Sequence, residues 1–209
     1  MAFLKKYAFQ IALVCLILLM GCYLLYMYVL KDDAPFTMSQ PAPSFALTDV
    51  DGNAVSLEST NGKARIVYFY FASCPDVCPP TTFLLAQVQD MLREKGELGT
   101  EVELISITFD PETDTPEVIK DFAERTGAEM EGWSFLRGEN KEEMIELARN
   151  FGVAVIYDEK NETFYHNNVI SIVDADGNIR EWINGSPNIE AGDPDITKED
   201  IYNRISKLY

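Results

Sequence analysis

Cys74 and Cys78 stand four apart in Phe71-Ala-Ser-Cys-Pro-Asp-Val-Cys-Pro-Pro80. Two thiols at this spacing can close on each other or jointly grip a soft metal. With a helix-like backbone their Cα atoms would lie about 6 Å apart, inside the roughly 4.4–6.8 Å that a disulfide tolerates. An apolar run, Arg65 to Ala72, precedes them, and from Thr81 to Lys95 the apolar residues Phe83, Leu84, Val88, Met91 and Leu92 recur at helical spacing. The pair is therefore expected at a strand-to-helix turn. A helix beginning near Pro79 or Pro80 would aim its positive end at the sulfurs and favour thiolate. Asp76, between the cysteines, partly offsets that end, so the thiol pKa is expected to fall only modestly below about 8.5. A purely structural disulfide is the blander reading. So short a bridge removes little loop entropy, and the turn is expected to be exposed.

The elements that position the pair alternate strand and helix. Phe45–Thr48 and Ala54–Leu57 flank Asp49-Val-Asp-Gly-Asn53, a hairpin signal. Strand Arg65–Ala72, helix Thr81–Lys95 and strand Val102–Phe109 follow, then a helix opened by Thr115-Pro116 that runs to Gly127. Next come a short strand Trp133–Leu136, a helix Lys141–Phe151, and a second hairpin, Val169–Val173 with Asn178–Ile183, around Asp174-Ala-Asp-Gly177. Thr197–Leu208 closes the chain as a helix. The expected fold is α/β, in the order of a thioredoxin-like fold with an N-terminal β-hairpin. Trp133 and Trp182 are expected in its core. Neither Asp-x-Asp-Gly-Asn string is a calcium loop, because the twelfth positions hold Thr60 and Gly185 instead of Glu. Both fit hairpin turns in which glycine takes positive φ.

His166, the sole histidine, precedes strand Val169–Val173. In a thioredoxin-like sheet the loop entering that strand faces the cysteine turn. Two thiolates and one imidazole make a soft three-coordinate set suited to copper, whereas zinc would want a fourth ligand or water. Thiolates favour Cu(I), and the imidazole admits Cu(II). A thioredoxin-type oxidoreductase has two residues between its cysteines, where this chain has Pro75-Asp-Val77. A peroxiredoxin would carry Thr at the position of Phe71.

Four segments are expected: residues 1–6 as a cytoplasmic N-terminus, 7–30 as a transmembrane anchor, 31–43 as an extended linker with Pro35, Pro41 and Pro43, and 44–209 as one domain. The uncharged run Tyr7–Leu30 would be roughly 36 Å long as a helix, against a hydrocarbon core of about 30 Å. Lys5-Lys6 before it and Asp32-Asp33 after Lys31 put the N-terminus inside and the domain outside. The rival is a lipoprotein processed at Leu19-Met-Gly-Cys22, against which the apolar run continues past Cys22. Cys15 and Cys22, seven apart, share one face of the helix and are read as lipid-facing or packing residues. The net charge of -17 argues against nucleic acid and against anionic lipid surfaces. The acidic clusters Glu97–Glu103 and Glu190–Asp200 are read as solvated surface.

Phe69-Tyr-Phe-Ala-Ser-Cys-Pro-Asp-Val-Cys-Pro79, Ser106-Ile-Thr-Phe-Asp-Pro-Glu-Thr-Asp-Thr-Pro116 and His166 resemble the Sco/SenC family of membrane-anchored, thioredoxin-like copper proteins, over essentially all of residues 44–209. The resemblance implies one copper ion held by Cys74, Cys78 and His166. It also implies a role in delivering copper to, or reducing the thiols of, the binuclear copper site of cytochrome c oxidase subunit II. Asp110 would then support the site or partner docking, with Asp76 beside the cysteines. Such a protein would be a single-pass protein of a bacterial cell membrane, its domain extracytoplasmic. As a metallochaperone it needs His166; as a thiol-disulfide reductase it needs only the two cysteines and an electron donor. The family usually has Ser or Thr after the histidine, and this chain has Asn167, which changes the hydrogen bonding available around that imidazole.

Overall fold

The computed structural model describes residues 2–25, 36, 38–161, 163–185 and 196–209. The chain divides into two compact units, Met1–Phe36 and Thr37–Tyr209. In the first, helix α1 spans Ala2–Leu25, and its 19-residue stretch Tyr7–Leu25 is long and apolar enough to cross a membrane. Cys15 and Cys22 are exposed on it. The Lys5 and Lys6 side chains, the end of the expected anchor (26–30), most of the expected linker (31–35 and 37) and part of the second acidic cluster (190–195) lie outside the described residues.

The second unit is built on an eight-stranded sheet. In chain order its strands are β1 (Gln40–Pro41), β2 (Ala46–Asp49), β3 (Ala54–Ser56), β4 (Ala64–Tyr70), β5 (Val102–Thr108), β6 (Trp133–Arg137), β9 (Val169–Val173) and β10 (Asn178–Asn184). They lie in the order β1-β10-β9-β4-β5-β6-β2-β3. β4, β5 and β6 are parallel, and β9 pairs antiparallel with β4. Parallel strands need both faces covered, and β4 is buried at every position. Helices α2 (Cys78–Glu94), α3 (Pro116–Thr126), α4 (Lys141–Asn150) and α5 (Lys198–Ile205) connect or follow the strands, with α2 packed against α3 and α5. Thr115 caps α3 by accepting from the Val118 amide, and Gly127 closes it in the left-handed conformation.

Both Asp-Gly strings form the expected turns, with Gly52 and Gly177 at φ 88° and 87°. Asp49 accepts from the Asp51 and Asn53 amides, and Asp174 from those of Asp176 and Asn178. Trp133 lies in the core, its indole N–H donating to Ser106 Oγ at 2.9 Å. Trp182 does not. Strand alternation turns Ile183 inward and leaves Trp182 38% exposed, lying against Gly152.

A further difference decides where His166 stands. Residues read as a loop form a separate two-stranded sheet, β7 (Val155–Asp158) and β8 (Thr163–His166), in which Val155 faces His166 and Tyr157 faces Phe164. Asp158 builds its turn, accepting from the Lys160 and Asn161 amides.

Candidate metal centre

β4 delivers the chain to Phe71 and Ala72, and the Ala72 amide donates to Asp114 Oδ2 at 3.0 Å. The same oxygen accepts from the Thr108 hydroxyl, so Asp114 ties the end of β5 to the start of the cysteine turn. Burial pushes its carboxyl up to about 6, against those two hydrogen bonds. Cys74 follows, its amide bonded to the Phe71 carbonyl at 3.2 Å. Cys78 is the first residue of α2, earlier than the expected start, with Pro79 and Pro80 behind it. Prolines have no N–H, so the first turn of this helix has few donors left to offer, and the Cys78 amide reaches the Cys74 sulfur.

The turn is not exposed. Cys74 is 7% and Cys78 0% accessible, and both thiols are free. Nor do the two thiols shift together. Cys74 is held well below a free thiol, first by a hydrogen bond from Cys78 and, against burial, by the Asp76 and Cys78 amides. Cys78 is pushed well above, by burial first and then by the Cys74 thiolate beside it. Desolvation thus outweighs the helix end at Cys78, and the pair shares one proton. Asp76 acts here through its backbone N–H, while its side chain faces solvent.

His166 ends β8. Its Nδ1 lies 3.0 Å from the Asn167 carbonyl, which can only accept, so Nδ1 carries the proton. Nε2 is left as the open donor atom, 3.7 Å from Cys78 Sγ. The ring stands edge-on to Phe109 and Phe71, at centroid distances of 5.2 and 5.9 Å. One donor atom from each of Cys74, Cys78 and His166 lies within 4.8 Å of the others, so these three side chains can hold one metal ion.

Two asparagines seat the imidazole. Asn167 Oδ1 accepts from the Ala154 amide at 2.6 Å, and Nδ2 donates to the Gly152 carbonyl at 3.4 Å, so its carboxamide pins the base of the hairpin. Asn168 Nδ2 donates to Thr81 Oγ1 at 2.7 Å, and Thr81 lies on the first turns of α2. That bond ties the segment after His166 directly to the cysteine helix. Gly185, whose amide donates to the Asn168 carbonyl, is closely packed: a Cβ there would sit 3.0 Å from the tip of Ile170, which would have to shift.

Asp110 is not among the three donors. It is buried after β5, with Lys141 Nζ 3.5 Å from its Oδ1. Reading the sequence missed Phe109, Phe164 and Lys141, which back the histidine. The alternation of Val155–Asp158 and Thr163–His166 about Asp158-Glu-Lys-Asn161 was the signal that could have found the hairpin.

Comparison with known proteins gives these observations a family. The SCO1/SenC family model matches residues 35–199. A SCO1 protein homolog of Bacillus subtilis is 32% identical over 145 residues, 69% of this chain and 74% of that protein. The structure of BsSco, described by a disulfide switch and as a member of the Sco family of cytochrome c oxidase assembly proteins, superposes with a TM-score of 0.69 at 28% identity, covering 84% of this chain and 96% of that one. Bradyrhizobium japonicum ScoI with copper bound superposes with a TM-score of 0.63 at 26% identity, covering 81% of this chain and 99% of that one. The fold is thioredoxin-like, and with the family model spanning both motifs and His166, the chain belongs to the SCO1/SenC family.

Proposed function

We propose that this chain is a membrane-anchored copper-binding protein that delivers copper to the binuclear copper site of cytochrome c oxidase subunit II. The convergence of two sulfurs and one imidazole nitrogen within 4.8 Å carries the reading. Two soft thiolates suit Cu(I), and a nitrogen with its proton parked on the far side of the ring admits Cu(II). Zinc would take a fourth ligand, and the group offers three among the described residues. The copper-bound relative supports the cargo, and the oxidase-assembly relative supports the destination. Helix α1 is the anchor, with Lys5-Lys6 on the cytoplasmic side and the copper domain outside the cell membrane. Exposed Asp76 sits where an acceptor would dock, and buried Asp110 supports the histidine side of the site.

A second reading has its own observation. A thiolate-prone Cys74 against a protonated Cys78 is the arrangement of a thiol-disulfide reductase, in which Cys74 attacks a partner disulfide and Cys78 resolves the mixed disulfide. The two activities are compatible, because closing Cys74 on Cys78 withdraws both thiolates and frees the metal.

Titrating the reduced protein with copper tests the first reading. It should bind one ion, and His166→Ala should weaken Cu(II) far more than Cu(I). Equal retention of both oxidation states in the variant removes His166 from the site. In a host lacking the gene, restoration of oxidase activity by His166→Ala at ordinary copper would favour the reductase, since that variant keeps the dithiol.

A further inference from the structure

Lys141 occupies a position that helix electrostatics disfavour. It is the first residue of α4, at the positive end of the helix dipole, where acidic side chains are preferred. Glu142 and Glu143 follow that preference and Lys141 does not. An ordinary surface lysine would point its ammonium into water, yet this side chain is 14% exposed. Its Nζ lies 3.5 Å from Asp110 Oδ1 and 3.1 Å from Glu112 Oε2, both in the loop after β5. Asp110 Oδ1 is buried without a hydrogen bond, so the ammonium is the charge that compensates it. Nζ also stands 4.4 Å above the Tyr157 ring and 5.8 Å from that of Phe164, the facing residues of β7 and β8. Phe164 in turn packs on Phe109 and Phe71, the two rings that meet His166 edge-on.

We propose that Lys141 is a positioning residue for His166: its ammonium, gripped by Asp110 and Glu112 and laid on Tyr157 and Phe164, fastens the β7–β8 hairpin to the body so that the imidazole stays against Cys78. The hairpin forms a separate sheet, and among the described residues no strand of the main sheet pairs with it. Aromatic contacts and the Lys141 ammonium hold its inner face, the Arg149 guanidinium of α4 donates to the Val155 carbonyl at 2.7 Å, and the Asn167 carboxamide fixes its base. Lys141 touches neither sulfur nor imidazole and acts through the hairpin. The inference rests on the copper reading for its functional consequence, but the geometric part stands without metal.

The test uses the full chain in detergent and compares the wild type with Lys141→Met, which keeps the apolar stem, and Lys141→Arg, which keeps the charge and the aromatic stacking. Two quantities are read: amide exchange of residues 155–166 in the metal-free protein, and the ratio of Cu(II) to Cu(I) dissociation constants. Lys141→Met should speed hairpin exchange and weaken Cu(II) by roughly 10- to 100-fold, as loss of a supporting partner does, with Cu(I) almost unchanged; Lys141→Arg should restore both. A lysine that only stabilises the fold would lower the melting temperature and leave the ratio alone, and that result overturns the proposal. If Lys141→Met does not fold, Glu112→Gln, a change at an exposed acid, should shift both quantities in the same direction by a smaller amount. An unchanged Glu112→Gln would count against the proposal. A wild type that binds no copper would refute the copper reading, while unaltered hairpin exchange in metal-free Lys141→Met would refute the role of Lys141.

Discussion

Cys74 and Cys78 grow out of β4, every residue of which is buried, and the helix they open packs against two others. His166 stands on β8, half of a two-stranded sheet whose outer face leaves Ile156 and Tyr165 66% and 61% exposed. The thiols are thus part of the core, and the imidazole is brought to them by an attachment. As ligands, two sulfurs set in the core and one imidazole carried on the hairpin would make a site whose third member can be loosened without disturbing the first two.

The largest expected effect separates the halves by stability. Phe122, fully buried and stacked on Tyr70, belongs to the cysteine side, and Phe122→Ala should lower global stability by about 3–5 kcal/mol. Phe164→Ala should cost less globally and concentrate its damage in amide exchange of residues 155–166. A global loss as large as that of Phe122→Ala would show that the hairpin is not a separate attachment.

The cysteine side was the more legible half. Strands 65–72 and 102–109 and helix 81–95 were readable because long apolar periodicities decide such elements locally. The cysteine spacing and the lone histidine picked out the three side chains that the structure brings together. What sequence could not supply was depth: the turn looked exposed and proved buried, which is why the two thiols split instead of falling together. The hairpin went unread because four-residue strands give a weak signal and because its stability comes from Phe71, Phe109 and Lys141, residues remote in sequence. Trp182 misled for a related reason, since an aromatic residue in a strand faces in or out by a register the sequence alone does not fix.

A second prediction acts on the cysteine side through protons. Burial holds the folded Asp114 carboxyl up at about 6, above the 3.8 of a free aspartate. Its neutral form is the one the fold favours, so its contribution is full below the unfolded value and is lost as pH rises through about 6. The span corresponds to about 3 kcal/mol at most. Urea midpoints between pH 4 and 7 should reveal this loss in the wild type and not in Asp114→Asn. A parallel pH profile for the variant would assign the slope to other groups.

The smallest effect belongs to the hinge of the hairpin. Asn167→Ala removes two hydrogen bonds at its base, each worth about 1 kcal/mol net, and should raise the Cu(II) off-rate several-fold while sparing Cu(I). Stopped-flow transfer of each oxidation state to a chelator measures both. An equal change in the two rates would mean that Asn167 holds the cysteine turn as well as the hairpin.

Cys78 and His166 meet across 88 residues of chain, whereas the two cysteines are neighbours in any conformation. An unfolded polypeptide therefore still carries a two-sulfur grip for Cu(I), but must close a long loop before an imidazole can join it. Ligands that also bind the denatured ensemble stabilise the native one less than their affinity suggests. If Cu(II) takes all three donors, as proposed, it should raise the melting temperature more per unit of binding free energy than Cu(I). Cu(II) would thereby report a completed domain, where Cu(I) would also report an unfolded one.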